Sequence, residues 1–243
     1  MKTEKKISTT DQVNWNKYMA GISIDCVIFG YNKGELKILL LEYKKTGLFA
    51  LPGGFIKKNE SLDSAAKHTL FKRTGLKNIF LNQFHTFGSL ERVNPTPMKQ
   101  LMVNNNTHLP DNHWLYQRFI TVGYYALVDY KKAEPVPDMF SDSCRWYDIN
   151  NLPELILDHN TIVQKAFQQL KDNIDHKAVG LNLLDKTFTM AELKKLYETI
   201  LEEELHRTGF HRKMMNSGRL KRLGKKKTGK AHRSPFLYRF KSA

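Results

Sequence analysis

The first 175 residues alternate between short apolar runs and polar turns, a pattern typical of strands and helices in an α/β domain. Residues 22–29 (ISIDCVIF) and 37–42 (KILLLE) are β-type runs separated by the turn GYNKGE, and GLFALPGGF continues in extended form. A helical pattern follows, with Ser61 as its N-cap and Gly75 as a left-handed stop. Three further strand runs (IFLNQFHTFG, RFITVGYYALVDY and CRWYDI) precede a helix predicted over 152–173. The order β-β-β-α-β-β-β-α predicts an α/β fold.

The last quarter of the chain has a different pattern, with helices first and extended pieces after them. In FTMAELKKLYETIL, Thr189 and Glu192 stand at capping-box spacing before an amphipathic helix. A basic helix is predicted over 206–217, with Phe210 and Met214 on its apolar face. Two extended pieces follow, RLKRLGKK and SPFLYRF, and the alternating aromatic residues of the second indicate core positions rather than stacking platforms. Helix, turn, basic helix and hairpin form the order of a winged helix-turn-helix.

Residues 90–117 are rich in proline and asparagine, and their pattern predicts an irregular segment. Compact domains rarely carry a structureless loop of this length unless it is functional or mobile. Two interpretations remain open, a lid over a pocket or part of a subunit contact.

The charge of the chain is concentrated at one end. The formal net charge is +15, and residues 205–243 hold thirteen of the 39 Lys and Arg residues without a single Asp or Glu. Such a block is expected of a nucleic-acid-binding element, because neutralising phosphates releases condensed counterions. A solvated basic tail of no particular function is the simpler alternative.

Composition narrows the class of protein further. The two cysteines, Cys26 and Cys144, lack CxxC spacing, so neither a disulfide framework nor a zinc site is indicated. The charged N-terminal sequence MKTEKKISTTDQ is followed by no apolar run of signal length, and no 18-residue apolar window occurs. We expect a cytoplasmic protein without a membrane partner, without a cofactor and with a short disordered leader.

A motif in the first part resembles the Nudix box, G-x5-E-x7-R-E-U-x-E-E-x-G-U, in which U is a bulky aliphatic residue. The stretch GFIKKNESLDSAAKHTLFKRTGL follows LPG, and the whole LPGGF approach also fits that family. The pattern keeps five positions, namely Gly54, Glu60, Leu70, Gly75 and Leu76. It departs at four, where His68 replaces the arginine and Thr69, Lys72 and Arg73 replace the three glutamates.

These replacements change what one face of the helix can bind. Residues 69, 72 and 73 lie at i, i+3 and i+4, so their side chains converge on one patch. Three carboxylates there would hold Mg²⁺, whereas a hydroxyl and two cations repel it. We therefore expect no metal site and no Nudix hydrolysis. Glu60 is expected to pair with His68 as structural support rather than to act in catalysis.

A degenerate Nudix domain followed by a basic winged helix resembles the Nudix-related transcriptional regulators of the NrtR type, including their sugar-related, arabinose-responsive branch. The resemblance implies a Nudix-type α/β/α sandwich with a mixed sheet, a homodimer, double-stranded DNA as a partner, and a small-molecule effector that is a sugar, a sugar phosphate or an ADP-ribose-like compound. The corresponding division of the chain is a leader over 1–17, an effector-binding domain over 18–174 and a DNA-binding domain over 175–243.

Candidate binding residues follow from this division. For the effector, Asp25 interrupts an apolar strand and Arg118 begins RFITVGYY; each is either a cavity residue that bonds a sugar hydroxyl or phosphate, or an ordinary surface charge. For DNA, the candidates are the polar residues of the recognition helix and of the hairpin tip, the wing. They are Arg207, Thr208, His211, Arg212, Lys213, Lys225, Lys226, Lys227, Lys230, His232 and Arg233.

Two other functions are alternatives to a DNA-binding transcriptional regulator. The chain could be a Nudix hydrolase whose metal is held by carboxylates outside the box, for example Glu91, Asp111 or Asp138. It could also be an RNA-binding module, although helix plus wing is a geometry that reads duplexes. The hypothesis of a transcriptional regulator differs from both alternatives, because it requires duplex DNA and an effector but no catalysis.

Overall fold

The computed structural model describes residues 13–175, 183–226 and 234–241. The larger part of the described chain is built on a mixed seven-stranded sheet. Its strands are β1 (Tyr18–Asn32), β2 (Glu35–Tyr43), β3 (Phe49–Ala50), β4 (Gly53–Lys57), β5 (Leu81–Phe87), β6 (Ile120–Asp129) and β7 (Ser141–Asp148). The long strand β1 lies at the centre, parallel to β6 and antiparallel to β2 and β4. Strands β5 and β7 pair antiparallel with β6 and β2.

Helices cover both faces of this sheet. Alternate residues of β1 point to opposite faces, so Ile24 and Ile28 pack beneath α1 (Leu62–Thr74), whereas Phe29 packs toward α3 (His159–Asn173). The arrangement is the predicted α/β/α sandwich with a mixed sheet, which is confirmed.

The ends of α1 are those predicted. The Ser61 side chain accepts a hydrogen bond from the Ser64 backbone N–H, and Gly75 ends the helix in the left-handed region with φ 70.

The helix predicted over 152–173 begins later than predicted. Residues before it are irregular, Leu155 forms a parallel bridge with Phe49, and Leu157 has a φ of 52. Pro153 disfavours helical backbone at residue 152 alone, whereas the bridge at Leu155 and the positive φ of Leu157 interrupt the residues after it. The helix α3 therefore starts at His159, beside the cavity described below.

The prediction of an irregular segment over 90–117 is wrong in part. It contains α2 (Thr96–Asn104) and two short 3-10 turns, and it buries its own small core around Leu101 and Met102. The prolines mark the start of this helix, where a missing N–H costs nothing, rather than a break. Trp15, within the predicted leader, packs against this core too, and residues 1–12 of that leader lie outside the described residues.

The C-terminal part has the predicted order of elements. It comprises β8 (Phe188–Thr189), α4 (Met190–Leu201), α5 (Arg207–Asn216), β9 (Leu220–Lys225) and β10 (Phe236–Phe240), with the strands in the order β8-β10-β9. Thr189 and Glu192 form the predicted capping box, and Phe210 and Met214 are buried. Tyr238 is buried as well, in agreement with its interpretation as a core residue.

The two parts share one apolar core. Phe29 of β1, Leu170 of α3, Leu196 of α4 and Phe210 of α5 belong to the same cluster of buried residues. The predicted boundary at 174/175 falls just after α3, immediately before residues 176–182, which lie outside the described chain. Among the described helices, none combines the length and apolar character needed to span a bilayer.

Candidate functional site

A cavity of about 310 Å³ opens beside the degenerate box. Strands β1 and β4, helix α1, the 90–117 segment and the start of α3 all contribute side chains to it. Its size is at the lower end of that of small-molecule sites. Three kinds of side chain line it: a buried group of charged and polar residues, a basic wall from the box helix, and an aromatic wall from Trp15, Phe55 and Phe119.

The buried group consists of Asp25, Arg92 and His159; together with Asp158, which contacts Arg92 but does not line the cavity, it is here called the polar cluster. The Arg92 side chain is only 4% exposed, and its Nη1 donates to the Phe87 carbonyl oxygen at 3.2 Å. Its Nη2 lies 3.3 Å from Asp158 Oδ1 and 3.9 Å from Asp25 Oδ2. A buried guanidinium of this kind is tolerated because two carboxylates offset its charge.

His159 is held as a neutral ring that presents a donor to the cavity. The Leu51 backbone N–H donates to His159 Nδ1 at 3.0 Å, which leaves the ring proton on Nε2. Burial lowers the pKa of His159, although Asp25 and Asp158 act in the opposite direction. The 3.8 Å separation of His159 Nε2 from Asp25 Oδ1 is thus a contact between a neutral N–H and a carboxylate rather than an ion pair.

Several polar atoms of the polar cluster have unused hydrogen-bonding capacity. Arg92 Nε and Asp158 Oδ1 are buried without a hydrogen-bond partner among the described residues, so the 3.3 Å approach of Arg92 to Asp158 attracts by charge but lacks hydrogen-bond geometry. The Asp25 contacts of 3.8 and 3.9 Å are about 1 Å longer than a hydrogen bond. Unsatisfied buried polar groups are rare and need an explanation, and a ligand is one.

A glycine makes room for the Asp25 carboxylate. Gly53 of β4 pairs with Asp25 of β1, and a Cβ added there would lie 2.5 Å from Asp25 Oδ1 and 2.6 Å from the Ile24 carbonyl oxygen. The next residue, Gly54, has no atom within 4 Å of the corresponding position. The family-like LPGGF stretch therefore requires a glycine for packing at its first Gly.

The box helix supplies the basic wall as predicted. Thr69, Lys72 and Arg73 all line the cavity, and Arg73 Nη1 donates to the Val136 carbonyl oxygen at 2.8 Å. The predicted contact between Glu60 and His68 is confirmed, with 2.5 Å between Glu60 Oε1 and His68 Nδ1.

Metal ligands are not assembled around the cavity. Within ranges 13–175, 183–226 and 234–241, no group of three or more His, Cys, Asp or Glu side chains is placed to hold a metal ion. Of the carboxylates considered for a non-standard metal site, Asp138 lines the cavity, where it accepts hydrogen bonds from the Phe140 N–H and the Ser141 hydroxyl. Asp111 is instead paired with Lys99, and Glu91 is not among the lining residues.

The structure separates the two effector candidates. Asp25 lies in the cavity, whereas Arg118 does not line it and donates to the Gly88 carbonyl oxygen at 3.4 Å from an exposed position. The prediction of Arg118 as a cavity residue is therefore wrong. The sequence did not indicate Arg92 or His159 as site residues. Arg92 lies in a segment predicted to be irregular, and His159 lies inside a predicted helix.

The recognition helix presents its predicted polar face. Arg207, Thr208 and Arg212 are exposed on α5, since Phe210 and Met214 fix the opposite face in the core. Two other candidates have partners within the protein: His211 Nε2 lies 3.3 Å from the Tyr238 hydroxyl, and Lys213 forms an ion pair with an aspartate of the N-terminal part.

The hairpin carries the remaining candidates. Lys225 and Lys226 are exposed near the end of β9, and Lys226 lies 3.5 Å from Glu192. The other four predicted wing residues, Lys227, Lys230, His232 and Arg233, lie outside the described residues.

Comparison with known proteins agrees with this two-part description. Residues 180–240 match the family model described as the NrtR DNA-binding winged helix domain. The chain is 29% identical over 226 residues to the ADPR responsive transcriptional repressor NtrR of Acinetobacter baylyi, covering 90% of this chain and 81% of that protein. The crystal structure of Shewanella oneidensis NrtR superposes with a TM-score of 0.68 at 25% identity, covering 91% of this chain and 94% of the other.

A relative of a different kind matches the first part of the chain. It is the ADP-ribose pyrophosphatase of Methanocaldococcus jannaschii, which is 26% identical over 166 residues, 67% of this chain and 82% of that protein.

Proposed function

Since the chain joins a Nudix-type domain to an NrtR-type winged helix domain, we propose that it is a transcriptional repressor whose DNA affinity depends on a small molecule bound in the cavity. The observation that carries the proposal is the coexistence, in the part of the chain that the structure describes, of a ligand-sized cavity without assembled metal ligands and an exposed basic recognition helix. A Nudix hydrolase would need the cavity together with a metal site, and it would not need a basic recognition helix.

DNA binding is supported by the orientation of α5. Its buried Phe210 and Met214 leave Arg207, Thr208 and Arg212 facing outward, where a winged helix inserts its second helix into the major groove. Arginines in that position read guanine edges bidentately or hold phosphates. Two further basic residues, Lys225 and Lys226 at the end of β9, are exposed as well.

The cavity favours a nucleotide sugar over a simple sugar as the effector. The open donors and acceptors of the polar cluster suit hydroxyl groups, which both donate and accept, and its one cation and two carboxylates disfavour a phosphate there. Lys72 and Arg73 on the box wall suit a diphosphate, and the aromatic wall suits a base. This combination points to ADP-ribose or a close analogue within the broader set of sugar effectors.

The loss of catalysis follows from the box wall. Thr69, Lys72 and Arg73 place two positive charges where Mg²⁺ would need carboxylates, so the cavity retains a diphosphate without the metal that would activate its cleavage. A hydrolase with non-standard ligands is the second candidate, favoured by the archaeal pyrophosphatase relative and by Asp138 in the cavity. Release of AMP from ADP-ribose in the presence of Mg²⁺ would decide for that candidate.

The experiment that tests the proposal separates DNA binding from ligand binding. Duplexes selected by the protein from a random library are labelled, and their affinity is measured by fluorescence anisotropy with and without ADP-ribose. The variant Arg207→Ala/Arg212→Ala should weaken DNA binding by about 30-fold or more, since each bidentate arginine contact contributes about 1–3 kcal/mol.

A matched control removes two exposed arginines elsewhere. Arg118→Ala/Arg145→Ala lowers the net charge equally but lies on the N-terminal part, so DNA affinity should change less than threefold. Calorimetry should give the same ADP-ribose affinity for the wild type and for both double variants. An unchanged DNA affinity in Arg207→Ala/Arg212→Ala would contradict the assignment of α5, and failure of the wild type to select any duplex would contradict the proposed function.

A further inference from the structure

Asp175, which follows the end of α3, contacts two basic residues of the winged helix, Lys213 and Arg219. Asp175 Oδ2 lies 2.6 Å from Lys213 Nζ of the recognition helix α5. Arg219, immediately before β9, contacts the same aspartate twice: its Nη1 donates to the backbone carbonyl oxygen at 2.5 Å, and its Nη2 lies 3.4 Å from Oδ1. These contacts of Asp175, Lys213 and Arg219 are here called the clasp.

The clasp is sheltered from solvent only in part, since the Lys213 side chain is 55% exposed. The side chains of Asp175 and Arg219 are 29% and 34% exposed. Burial raises the pKa of Asp175, but Lys213, Tyr197 and Arg219 together more than offset this, so the pKa lies below its usual value and the group is a carboxylate at neutral pH. Its charge therefore remains available to both cations throughout the physiological range.

Both cations of the clasp belong to the elements that face DNA in the proposed function. Lys213 lies on the same helix as Arg207 and Arg212, and Arg219 begins the strand that leads into the hairpin. A carboxylate and a phosphate compete for the same lysine and arginine donors. Phosphate contacts by Lys213 or Arg219 therefore require the clasp to open.

The other end of α3 reaches the cavity. Asp158 precedes the helix and His159 begins it, and both belong to the polar cluster. The fifteen helical residues span about 22 Å at 1.5 Å per residue. Ile162, Ala166 and Leu170 are fully buried along its inner face, so the helix packs against the core along its length. The cavity and the clasp are thus connected by one rigid element.

We infer that Asp175 is a positioning residue that restrains DNA binding: it ties α5 and β9 to α3 and withholds Lys213 and Arg219 from phosphate. Opening of the clasp is then the step through which α3, and any ligand that shifts it, adjusts DNA affinity. This inference rests on the proposed function, because it concerns the regulation of the same DNA-binding surface.

The test compares two aspartates one turn apart on the same part of the chain. Asp175→Asn removes the clasp charge, and the control Asp172→Asn removes an equal charge from an exposed position that bonds only Gln168 among the contacts described. Any general effect of net charge on DNA affinity is therefore matched. A third variant, Asp175→Glu, retains a carboxylate and serves as the conservative replacement.

Asp175→Asn should bind the selected duplex about tenfold more tightly than the wild type. It should also depend more steeply on salt, because each additional phosphate contact adds about 0.9 to the slope of log K against log salt. The ratio of DNA affinities without and with ADP-ribose should fall at least threefold. Asp172→Asn and Asp175→Glu should stay within twofold of the wild type in all three measurements.

Further outcomes bear on the two proposals differently. If Asp175→Asn binds DNA equally to Asp172→Asn, or more weakly than it, with the wild type binding normally, the clasp inference is overturned and the proposed function stands. If the wild type selects no duplex, both are overturned. Combining Asp175→Asn with Lys213→Ala checks the assignment without relying on one variant: when Lys213 mediates the effect, the gain from Asp175→Asn shrinks in the Lys213→Ala background.

Discussion

Replacement of Arg92 by methionine tests whether its guanidinium stabilises the two carboxylates of the polar cluster. The guanidinium lies between Asp25 and Asp158, and methionine keeps similar bulk without charge or donors. The change leaves both carboxylates without their nearest cation and removes the hydrogen bond from Nη1 to the Phe87 carbonyl oxygen. We expect a large loss of stability from a residue that the apolar pattern of the chain does not reveal.

The size of the loss follows from the exposure of the partners. Removing one member of a buried ion pair costs about 3–5 kcal/mol. Asp25 is 10% exposed, but Asp158 is 26% exposed and remains partly solvated after the change, so the lower figure of about 3 kcal/mol applies. For a chain of this length, 1 kcal/mol corresponds to about 2–4 °C in Tm. Arg92→Met should therefore melt about 6–12 °C below the wild type.

Thermal unfolding followed by circular dichroism at pH 7.5 measures the change, with Arg118→Met as the control. Arg118 makes one exposed contact of 3.4 Å to a carbonyl oxygen, so its loss should alter Tm by less than 2 °C. Arg92→Lys keeps the charge but cannot reproduce both Nη contacts. Its Tm should therefore lie between those of Arg92→Met and Arg118→Met. A Tm for Arg92→Met within 2 °C of the wild type would refute the view that Arg92 neutralises the two carboxylates.

Three other changes test separate features of the structure. Gly53→Ala should lower the free energy of unfolding in urea by about 1–3 kcal/mol because its Cβ would meet the Ile24 carbonyl oxygen and Asp25, whereas Gly54→Ala, with open space, should change it by less than 1 kcal/mol. Burial lowers the pKa of His159, so the contribution of this residue to stability is present above the unfolded pKa near 6.5 and is lost as pH falls through the folded pKa. Urea unfolding between pH 7.5 and 5 should show this loss of stability, which is at most about 1.4 kcal/mol per pH unit. The variant His159→Gln should reduce the loss. Thr189→Ala removes one half of the capping box and should cost about 1 kcal/mol by the same measurement, and no loss would show that α4 is held by packing alone.

The sequence predicts most of the fold because local and tertiary signals agree. The cap at Ser61, the stop at Gly75 and the capping box at Thr189 are short-range interactions, and each is present where its pattern indicates. The errors lie where one local signal has two meanings. Prolines at 95 and 97 indicated an irregular segment, yet the same residues are favourable at a helix start, and only the burial of Leu101 and Met102 decides for a helix.

The candidate site is predicted less completely because its members come from distant positions. Thr69, Lys72 and Arg73 are close in sequence and share a helix face, so their convergence could be predicted from spacing. Arg92 and His159 are separated by 67 positions and meet only through the path of the 90–117 segment and the start of α3. No periodicity in a single sequence encodes that meeting.

The free energy needed for a ligand in the cavity to regulate DNA binding is small compared with the stabilisation from the core that joins the two parts. A tenfold change in DNA affinity corresponds to about 1.4 kcal/mol of coupling, and the net contribution of one hydrogen bond is about 0.5–1.5 kcal/mol. The polar cluster leaves Arg92 Nε open, and Arg92 and His159 both line the cavity, so a ligand that bonds them in only one position of α3 supplies enough free energy. The clasp at the other end of that helix includes a 3.4 Å contact at the limit of hydrogen bonding, which a shift well below 1 Å would break. Because Ile162, Ala166 and Leu170 of α3 belong to the same core as Phe210, that packing is compatible only with a small displacement, and regulation therefore requires a choice between two closely similar positions of this helix.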